Sequence, residues 1–550
     1  MVARNSFDYI VLGAGSAGAV IATRLTERSG VKTLVLEAGV DHRPFLSRIP
    51  GALDYALHDD KYNWYYHTEP EPYLDGRRIY CPRGKALGGS SSINGMQFIR
   101  GHPLDFDGWA GNELPNWSYA HCLPYFKKYE SYESGADIYR GGDGPLNISR
   151  PKLENPLDRA FLEAALQAGY PYSEDTNGFQ QEGFGVADRT IHNGERCSTA
   201  VAYLRPAMNR DNLTVISEAL AHRILFDGKR AVGVEYEHHG QIVQAFADRE
   251  VVLCGGSINS PQLLMLSGIG DAAHLNEHNI SLVQHLPGVG QNLQDHLDCR
   301  IQVKCKLPVS LYSASHGIGR LVAGIRWILT KGGPASTNLF EVAGYIRSND
   351  EVSYPNIQSC FMAIAASYDG NNSYQGHGYQ AHIDLMRPTS RGRVKLRSAN
   401  PNESPSILFN YLQTDSDRRD VVDAFRLTRE ILKQDAFLPY DGGELTPGSG
   451  VDSDDEILSW ARQVADTEYH PTSTCSMGIS DDAVVDGELR VHGLDGLRVA
   501  DASVMPRIVT ANTNAASIMI GEKAADIIAG NPPLDPLYVP TYAPETQLSS

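Results

Sequence analysis

The chain has 550 residues, 42% of them hydrophobic and 21% charged, a composition typical of a soluble globular protein with more than one domain. Its 48 basic and 66 acidic residues give a formal net charge of −18, which argues against a general nucleic-acid binder. The sequence contains no run of about 18 apolar residues that could span a bilayer, and no apolar leader precedes the first predicted strand. The eight cysteines form no C-x-x-C pair, so we expect free thiols and a cytoplasmic protein without a metal site.

The first predicted unit is a strand, a glycine turn, a helix and a second strand. Residues 7–12 predict a buried parallel strand that leads into G-x-G-x-x-G at residues 13–18. Helical spacing over residues 17–27 and a strand at residues 33–36 follow, and Glu37 ends the unit. Such glycines turn the chain tightly beside a pyrophosphate, and the acid accepts hydrogen bonds from a ribose diol. The unit predicts a dinucleotide site and leaves NAD and FAD as alternatives.

Two loop segments follow this unit. Residues 41–80 contain an aromatic cluster around Trp64, which is either core packing or part of the wall or lid of a substrate pocket. Residues 83–95 contain a run of small residues that cannot form a stable helix interior. Because its flanks are apolar, we interpret this run as backbone lying against a ligand rather than as a flexible linker.

The middle of the chain predicts a helix at 157–169 and strands at 213–216, 232–236 and 250–254, with a hairpin turn at 227–228. A second small-residue turn at 255–261 opens a helix at 262–266 and repeats the phosphate-binding pattern. Residues 300–465 predict a separate antiparallel sheet with helices on one face. A strand at 497–500 then ends at Asp501, a helix follows at 515–529, and the Pro-rich residues 531–550 predict an extended or disordered arm.

These motifs, in this order, resemble the glucose-methanol-choline (GMC) family of flavin oxidoreductases. The resemblance rests on four features: residues 13–18 with Glu37, the loop at 84–95, the turn and helix at 256–270, and the motifs at 469–471 and 512–514. Segments 62–64, 308–312, 407–411 and 520–523 are most similar to the branch of bacterial choline dehydrogenases. The resemblance covers residues 5–530 and implies FAD rather than NAD.

It also implies the GMC fold, a Rossmann-like α/β FAD-binding domain with a second, antiparallel-sheet substrate-binding domain. We assign 1–150, 191–300 and 466–530 to the first domain, 151–190 and 301–465 to the second, and 531–550 to a tail. Some family members attach FAD covalently through a histidine at the position of Ile93, so we expect non-covalent FAD. The implied FAD-binding residues are Gly13, Gly15, Ser16, Ala17, Gly18, Glu37, Ala38, Arg83, Leu87, Gly88, Gly89, Ser90, Ser92, Asn94, Gly95, Ala221, Asp501, Ala502, Asn512 and Asn514.

The family's mechanism implies oxidation of a small primary alcohol to its aldehyde. His470 is the expected base for the hydroxyl proton, and hydride passes to flavin N5. Asn512 is expected to hydrogen-bond the developing alkoxide, although it could instead only cap the helix and leave this role to Asn514. The expected partners are the alcohol and an electron acceptor (quinone, dye-type carrier or O2); a homo-oligomer and peripheral membrane association stay open.

The expected substrate pocket contains Trp64, His296, Asp298, His316, Arg320 and Tyr469. Asp298 stands where choline-oxidising relatives carry a glutamate, and residues 313–320 lack their tryptophan pair. Lost aromatic faces weaken cation–π attraction, while His316 and Arg320 add positive potential. The pattern therefore fits choline poorly and allows a neutral or carboxylate-bearing alcohol such as a short hydroxy acid. The alternatives are an alcohol oxidase, a hydroxynitrile lyase that binds FAD as a structural element, and a non-catalytic FAD-binding protein.

Overall fold

The structure, a computed structural model, describes residues 6–41, 43–111, 113–366 and 374–543. Its strands are β1 Ser6–Leu12, β2 Thr33–Leu36, β3 Tyr66–His67, β4 Tyr80–Cys81, β5 Glu130–Tyr132, β6 Leu146–Ile148, β7 Gly183–Val186, β8 Ile191–His192, β9 Glu195–Arg196, β10 Leu213–Ile216, β11 Ala219–Asp227, β12 Arg230–His238, β13 Gln241–Leu253, β14 Ile269–Gly270, β15 Gln284–His285, β16 Leu297–Cys305, β17 Phe340–Ile346, β18 Ile357–Met362, β19 Gly378–Leu385, β20 Arg393–Lys395, β21 Ser406–Leu408, β22 Asp441–Thr446, β23 Asp466–Thr467 and β24 Leu497–Val499. Its helices are α1 Ser16–Leu25, α2 Leu53–His58, α3 Pro103–Ala110, α4 Tyr119–Tyr129, α5 Pro156–Gln167, α6 Arg205–Ala207, α7 Gly256–Leu266, α8 Ala272–Glu277, α9 Tyr312–Ser315, α10 Gly317–Thr330, α11 Asp415–Leu432, α12 Asp454–Val464 and α13 Thr513–Ala529.

The first sheet has seven strands in the order β10-β2-β1-β13-β12-β11, with β24 also paired to β13. Strands β10, β2, β1, β13 and β24 run parallel, while β11, β12 and β13 form an antiparallel meander. The parallel strands are apolar and buried because helices cover the sheet. Their carboxyl ends, which lead into α1 and α7, lie at one edge, where an open α/β sheet binds its ligand.

The second sheet also has seven strands, in the order β22-β16-β19-β18-β17-β7, with β23 paired to β16. All its pairs are antiparallel. The expected fold class, an α/β dinucleotide fold with a second antiparallel sheet, is confirmed. The domain boundaries given above stay a prediction.

Three strands of the second sheet alternate in an unusual way. One face of β16, β18 and β19 is apolar and packs in the core, whereas the other carries buried polar side chains. These include Asp298 on β16, Gln358 on β18, and Gln380, His382 and Asp384 on β19. Since a buried polar face costs free energy unless something satisfies it, this face indicates the wall of a polar site.

Helix α7 begins at Gly256, earlier than the predicted start at residue 262, and it contains Pro261. A proline inside a helix leaves the carbonyl four residues earlier without its donor. Here the Thr474 hydroxyl donates to the Ser257 carbonyl at 2.7 Å and replaces that donor. A contact distant in sequence therefore permits the helix that the local pattern disfavours.

Residues 531–543 contain no helix or strand and lie along the body of the protein. The Leu537 amide donates to the Ala120 carbonyl at 2.9 Å, the Tyr542 amide donates to the Phe179 carbonyl at 2.9 Å, and the Tyr139 hydroxyl donates to the Pro540 carbonyl at 2.8 Å. The remaining residues of the predicted arm, 544–550, lie outside the described residues.

All eight cysteines lie within the described residues, and each is a buried free thiol. Within the described ranges, no helix combines the length and the apolar character that crossing a membrane requires.

Candidate active site

The first glycine turn lies between β1, α1 and the end of β13. A Cβ on Gly18 would lie 2.0 Å from the Gly13 carbonyl oxygen, so only glycine lets the helix pack this closely on the turn. Glu37 is buried, and its carboxylate accepts the Ala14 amide at 2.8 Å and the Gly39 amide at 2.9 Å. Burial raises the pKa of Glu37 to about 7, and the residue lines the cavity.

The loop at residues 84–95 and the start of α13 complete this cradle. A Cβ on Gly89 would lie 2.8 Å from the Gly15 Cα, so the two glycine-rich segments touch. The Ser16 hydroxyl donates to Asn514 Oδ1 at 2.7 Å and joins the first turns of α1 and α13. Neither helix has a side-chain cap, so both present unpaired backbone N–H groups to one cavity.

That cavity has a volume of about 460 Å³ and reaches from the glycine turns to the polar face of the second sheet. The expected residues that line it are Gly13, Gly15, Ser16, Ala17, Glu37, Ala38, Trp64, Arg83, Gly89, Ser90, Asn94, Gly95, Ala221, Asp298, Tyr469, His470, Asp501, Ala502, Asn512 and Asn514. Gly18, Leu87, Gly88, Ser92 and His296 lie behind the wall, while His316 and Arg320 are exposed near the start of α10 and do not reach the cavity. Contrary to expectation, His316 and Arg320 do not line the cavity in this structure.

The cradle fits a dinucleotide. The Ser257 hydroxyl and Asn512 Oδ1 are both buried, line the cavity and have no hydrogen-bond partner among the described residues. The Asp501 carboxylate accepts the Gly256 amide at 2.9 Å and the Ser260 hydroxyl at 2.6 Å. Asp501 therefore holds the second glycine turn, and only its other atoms are free to contact a ligand.

A chain of hydrogen bonds fixes the proton positions on two histidines. His296 Nε2 lies 3.1 Å from the Met386 carbonyl, which can only accept, so this nitrogen carries the proton. His296 Nδ1 is then an acceptor, and His470 Nδ1–H donates to it at 3.1 Å. The remaining nitrogen, His470 Nε2, keeps its lone pair and lies 3.2 Å from Asn512 Nδ2. A neutral imidazole thus presents its basic nitrogen at the cavity.

The backbone and surroundings hold His470 in this state. Its amide donates to Asp295 Oδ1 at 2.7 Å. Burial, with smaller contributions from His296 and Arg83, holds its pKa well below the usual value. Asn512 directly precedes α13 and does not cap it through its side chain; its amide nitrogen instead contacts His470 Nε2. The alternative in which Asn512 only caps the helix has no support in this geometry.

The opposite wall of the cavity is acidic, and the sequence interpretation missed most of it. Asp298 was expected, but Asp384, His382 and Glu468 were not. Polar residues at alternate positions of the buried β19 are the signal that could have indicated two of them. Glu468 precedes Tyr469, whose φ of 64° is strained for a non-glycine residue and sets the direction of this segment.

A cradle for a dinucleotide beside a buried neutral histidine is the arrangement of a cofactor-dependent oxidoreductase. Family models described as GMC oxidoreductase match residues 7–298 and 388–521. The chain is 51% identical over 546 residues to oxygen-dependent choline dehydrogenase of Paraburkholderia phytofirmans, covering 98% of this chain and 97% of that protein. It is 50% identical over 554 residues to mouse mitochondrial choline dehydrogenase, covering 99% and 93% respectively.

Among solved structures, the chain is similar to a variant of formate oxidase of Aspergillus oryzae that was studied for its effect on FAD modification. The TM-score is 0.90 at 28% identity, and the match covers 96% of this chain and 98% of the formate oxidase chain. The chain belongs to the GMC oxidoreductase family. The predicted family, and with it the prediction of an FAD-dependent oxidoreductase acting on alcohols, are confirmed. The individual site residues stay predictions.

Proposed function

We propose that the chain oxidises a small primary alcohol with a cationic nitrogen, of the choline class, to its aldehyde. Relatives named choline dehydrogenase at about half identity support this substrate class. The observation that carries the reaction is the basic His470 Nε2 beside Asn512 at the cavity. The acidic wall at Asp384 and Glu468 disfavours the carboxylate-bearing alcohol considered from the sequence, because like charges repel in a buried site.

The residues of the chain have distinct tasks in this reaction. FAD, when bound, supplies the hydride acceptor, and the uncapped starts of α1 and α13 with Glu37 would hold it. His470 Nε2 takes the hydroxyl proton, and the charge formed on its ring is shared through Nδ1–H with His296. The Asn512 amide donates to the substrate oxygen as negative charge develops on it.

The test is anaerobic reduction of the bound flavin by choline, followed in a stopped-flow instrument. His470→Ala should lower the limiting rate by about 10²- to 10⁴-fold, since it removes the general base. Unchanged flavin content and melting temperature in the variant serve as the control for folding. Failure of every amino alcohol to reduce the wild-type flavin would contradict the proposal and favour the lyase alternative.

We propose further that FAD is bound without a covalent link. Ile93, at the position where some relatives carry a linking histidine, is a buried side chain without a nucleophile and lines the cavity. Acid precipitation should leave the yellow colour in the supernatant. Colour that stays with the pellet would show a covalent bond.

The electron acceptor is proposed to be external to the chain. Oxygen uptake and dye or quinone reduction, measured side by side during turnover with one substrate, assign it. Oxygen uptake that equals aldehyde formation makes the protein an oxidase, whereas dye-dependent turnover with little oxygen uptake makes it a dehydrogenase. Flavin reduction without reoxidation by any of the three would contradict this set of acceptors.

We also propose peripheral membrane association through α10. Six apolar side chains on this helix are strongly exposed: Ile318 81%, Leu321 64%, Val322 58%, Ile325 48%, Ile328 54% and Leu329 77%. The helix carries Arg320 and Arg326 and no acidic residue, so its charge matches an anionic lipid surface despite the negative chain. A helix of this kind lies in the interface rather than crossing the bilayer.

The test is co-sedimentation with vesicles containing anionic lipid. Leu321→Glu with Leu329→Glu should abolish binding and leave flavin reduction unchanged, because both residues lie away from the cavity. Ile242→Glu, an exposed apolar position on β13, is the matched control. A stable dimer that dissociates in the α10 variant, without vesicle binding by the wild type, would assign this face to a second copy of the chain instead.

A further inference from the structure

A group of four ionisable side chains lies at the second-sheet end of the cavity. The ligand atoms of Asp298, His382, Asp384 and Glu468 all lie within 4.8 Å of one another. The sheet register explains this grouping, because Asp298 pairs directly with Asp384 across β16 and β19. Cross-strand partners point to the same face, so both carboxylates face the cavity.

Only part of this charge is neutralised inside the protein. The Asp298 carboxylate accepts Arg300 Nε at 2.7 Å and faces His382 Nδ1 at 3.1 Å. These partners hold the pKa of Asp298 below its usual value, although burial opposes them. Asp298 is thus satisfied by the chain itself.

Asp384 has no such partners. Its side chain is 1% exposed. Apart from a proton shared with Glu468, no donor among the described residues hydrogen-bonds to either of its carboxyl oxygens. Burial and the neighbouring acid raise its pKa well above the usual value. A buried carboxyl without donors is costly unless a ligand supplies them.

We propose that Asp384 and Glu468 form an ammonium-binding subsite that favours amino alcohols whose nitrogen carries N–H groups. The inference rests on the proposed function and names its substrate class more narrowly. Carboxylate oxygens are satisfied by N–H donors, and a quaternary ammonium offers none. Binding of the ammonium on the face of Trp64 is disfavoured, because Lys85 Nζ already lies 4.7 Å from the centroid of that ring.

A divalent metal is the other ligand that this set of atoms can hold. The guanidinium of Arg300 disfavours it, because Arg300 binds Asp298 and also reaches Asp466 at 3.2 Å. Asp298 would have to give up its contact with Arg300 to bind the metal. A monovalent ammonium matches the single negative charge that Asp384 and Glu468 carry once one of them has lost its proton and they share the other.

The first experiment measures apparent Kd and limiting rate of flavin reduction for ethanolamine, N-methylethanolamine, N,N-dimethylethanolamine, choline and the uncharged 3,3-dimethylbutan-1-ol. Wild-type protein should bind N,N-dimethylethanolamine at least tenfold more tightly than choline. Asp384→Asn and Glu468→Gln should each remove this preference, with a much larger loss of affinity for the amines than for the uncharged alcohol. Glu277→Gln, a carboxyl-to-amide change on the surface of α8, is the matched control.

A second readout measures the same compounds by the shift in melting temperature. If no compound reduces the flavin but N,N-dimethylethanolamine still stabilises wild type and not Asp384→Asn, the proposed function fails and the subsite stands. Equal binding of choline and its N–H analogues, or folded variants that keep the wild-type preference, overturns the subsite. Binding of Mn²⁺ alone, lost in Asp384→Asn, would assign a metal site and also overturn it.

The subsite has a pH signature. Burial and Asp298 raise the pKa of Glu468 to about 8, so the pair gains its negative charge only as pH rises through that value. The charged and titratable groups that face the pair are Asp295, Asp298, Arg300, Tyr345, Cys360 and His382. Choline, whose charge does not titrate, should therefore bind more tightly at pH 9 than at pH 7. A pH-independent Kd for choline, or the same dependence in Glu468→Gln, would contradict this assignment.

Discussion

At the scale of single residues, the site depends on which nitrogen of His470 holds a proton. The Met386 carbonyl fixes the proton on His296 Nε2, and this fixes the proton of His470 on Nδ1. The basic nitrogen then faces the cavity, and burial favours this neutral ring because it holds the pKa of His470 well below its usual value.

His296 is accordingly a positioning residue whose loss should affect rate more than binding. His296→Ala removes the acceptor of His470 Nδ1–H, and we expect the limiting rate of flavin reduction to fall about 10- to 100-fold, part of the contribution of a general base. His296→Gln retains an acceptor oxygen and should restore most of the rate. Stopped-flow reduction with both variants checks this, and an equal loss in the two would show that shape rather than proton placement matters.

At the scale of elements, the second glycine turn shows how a distant residue permits a local structure. Helix α7 includes Pro261, and the Thr474 hydroxyl satisfies the carbonyl that the proline leaves free. The same helix begins at Gly256, whose amide is held by Asp501. Two residues from distant segments, Thr474 and Asp501, thus stabilise the start of α7. The local sequence pattern carries no information about these contacts.

Thr474→Val should therefore destabilise the protein. The side chain is fully buried, and the variant leaves the Ser257 carbonyl without its donor, so we expect a loss of about 1–3 kcal/mol in the free energy of unfolding. Urea unfolding followed by tryptophan fluorescence gives this value. Thr474→Ser keeps the hydroxyl and is the control; equal destabilisation by both variants would assign the effect to packing.

At the scale of the whole molecule, local patterns were predictable and long-range juxtapositions were not. The strand, turn and acid from Phe7 to Glu37 lie close in sequence and form as predicted. His470 and His296 meet across 174 positions, and no spacing in the sequence encodes that contact. His316 and Arg320 were assigned to the pocket through an analogous segment, but here that segment forms α10 on the surface.

The C-terminal arm joins parts of the molecule that are distant in sequence. Residues 534–543 contact α4, Tyr139 and Phe179. A chain ending at Gly530 should therefore unfold at a temperature a few degrees lower, the size of effect expected for the loss of a few kcal/mol. Thermal unfolding with FAD bound measures it, and an unchanged midpoint would show that the arm only rests on the surface. Tyr139→Phe, which removes one of these hydrogen bonds, should produce a smaller shift.

The alternation along β16, β18 and β19 has a consequence for how such a protein changes over time. Residues that pack in the core and residues that face the cavity take turns along each strand. A substitution at a cavity-facing position, such as His382 or Asp384, alters what the pocket accepts without enlarging or crowding the apolar layer behind it. New substrates are therefore accessible to this architecture by single replacements on a scaffold whose stability is secured by their neighbours.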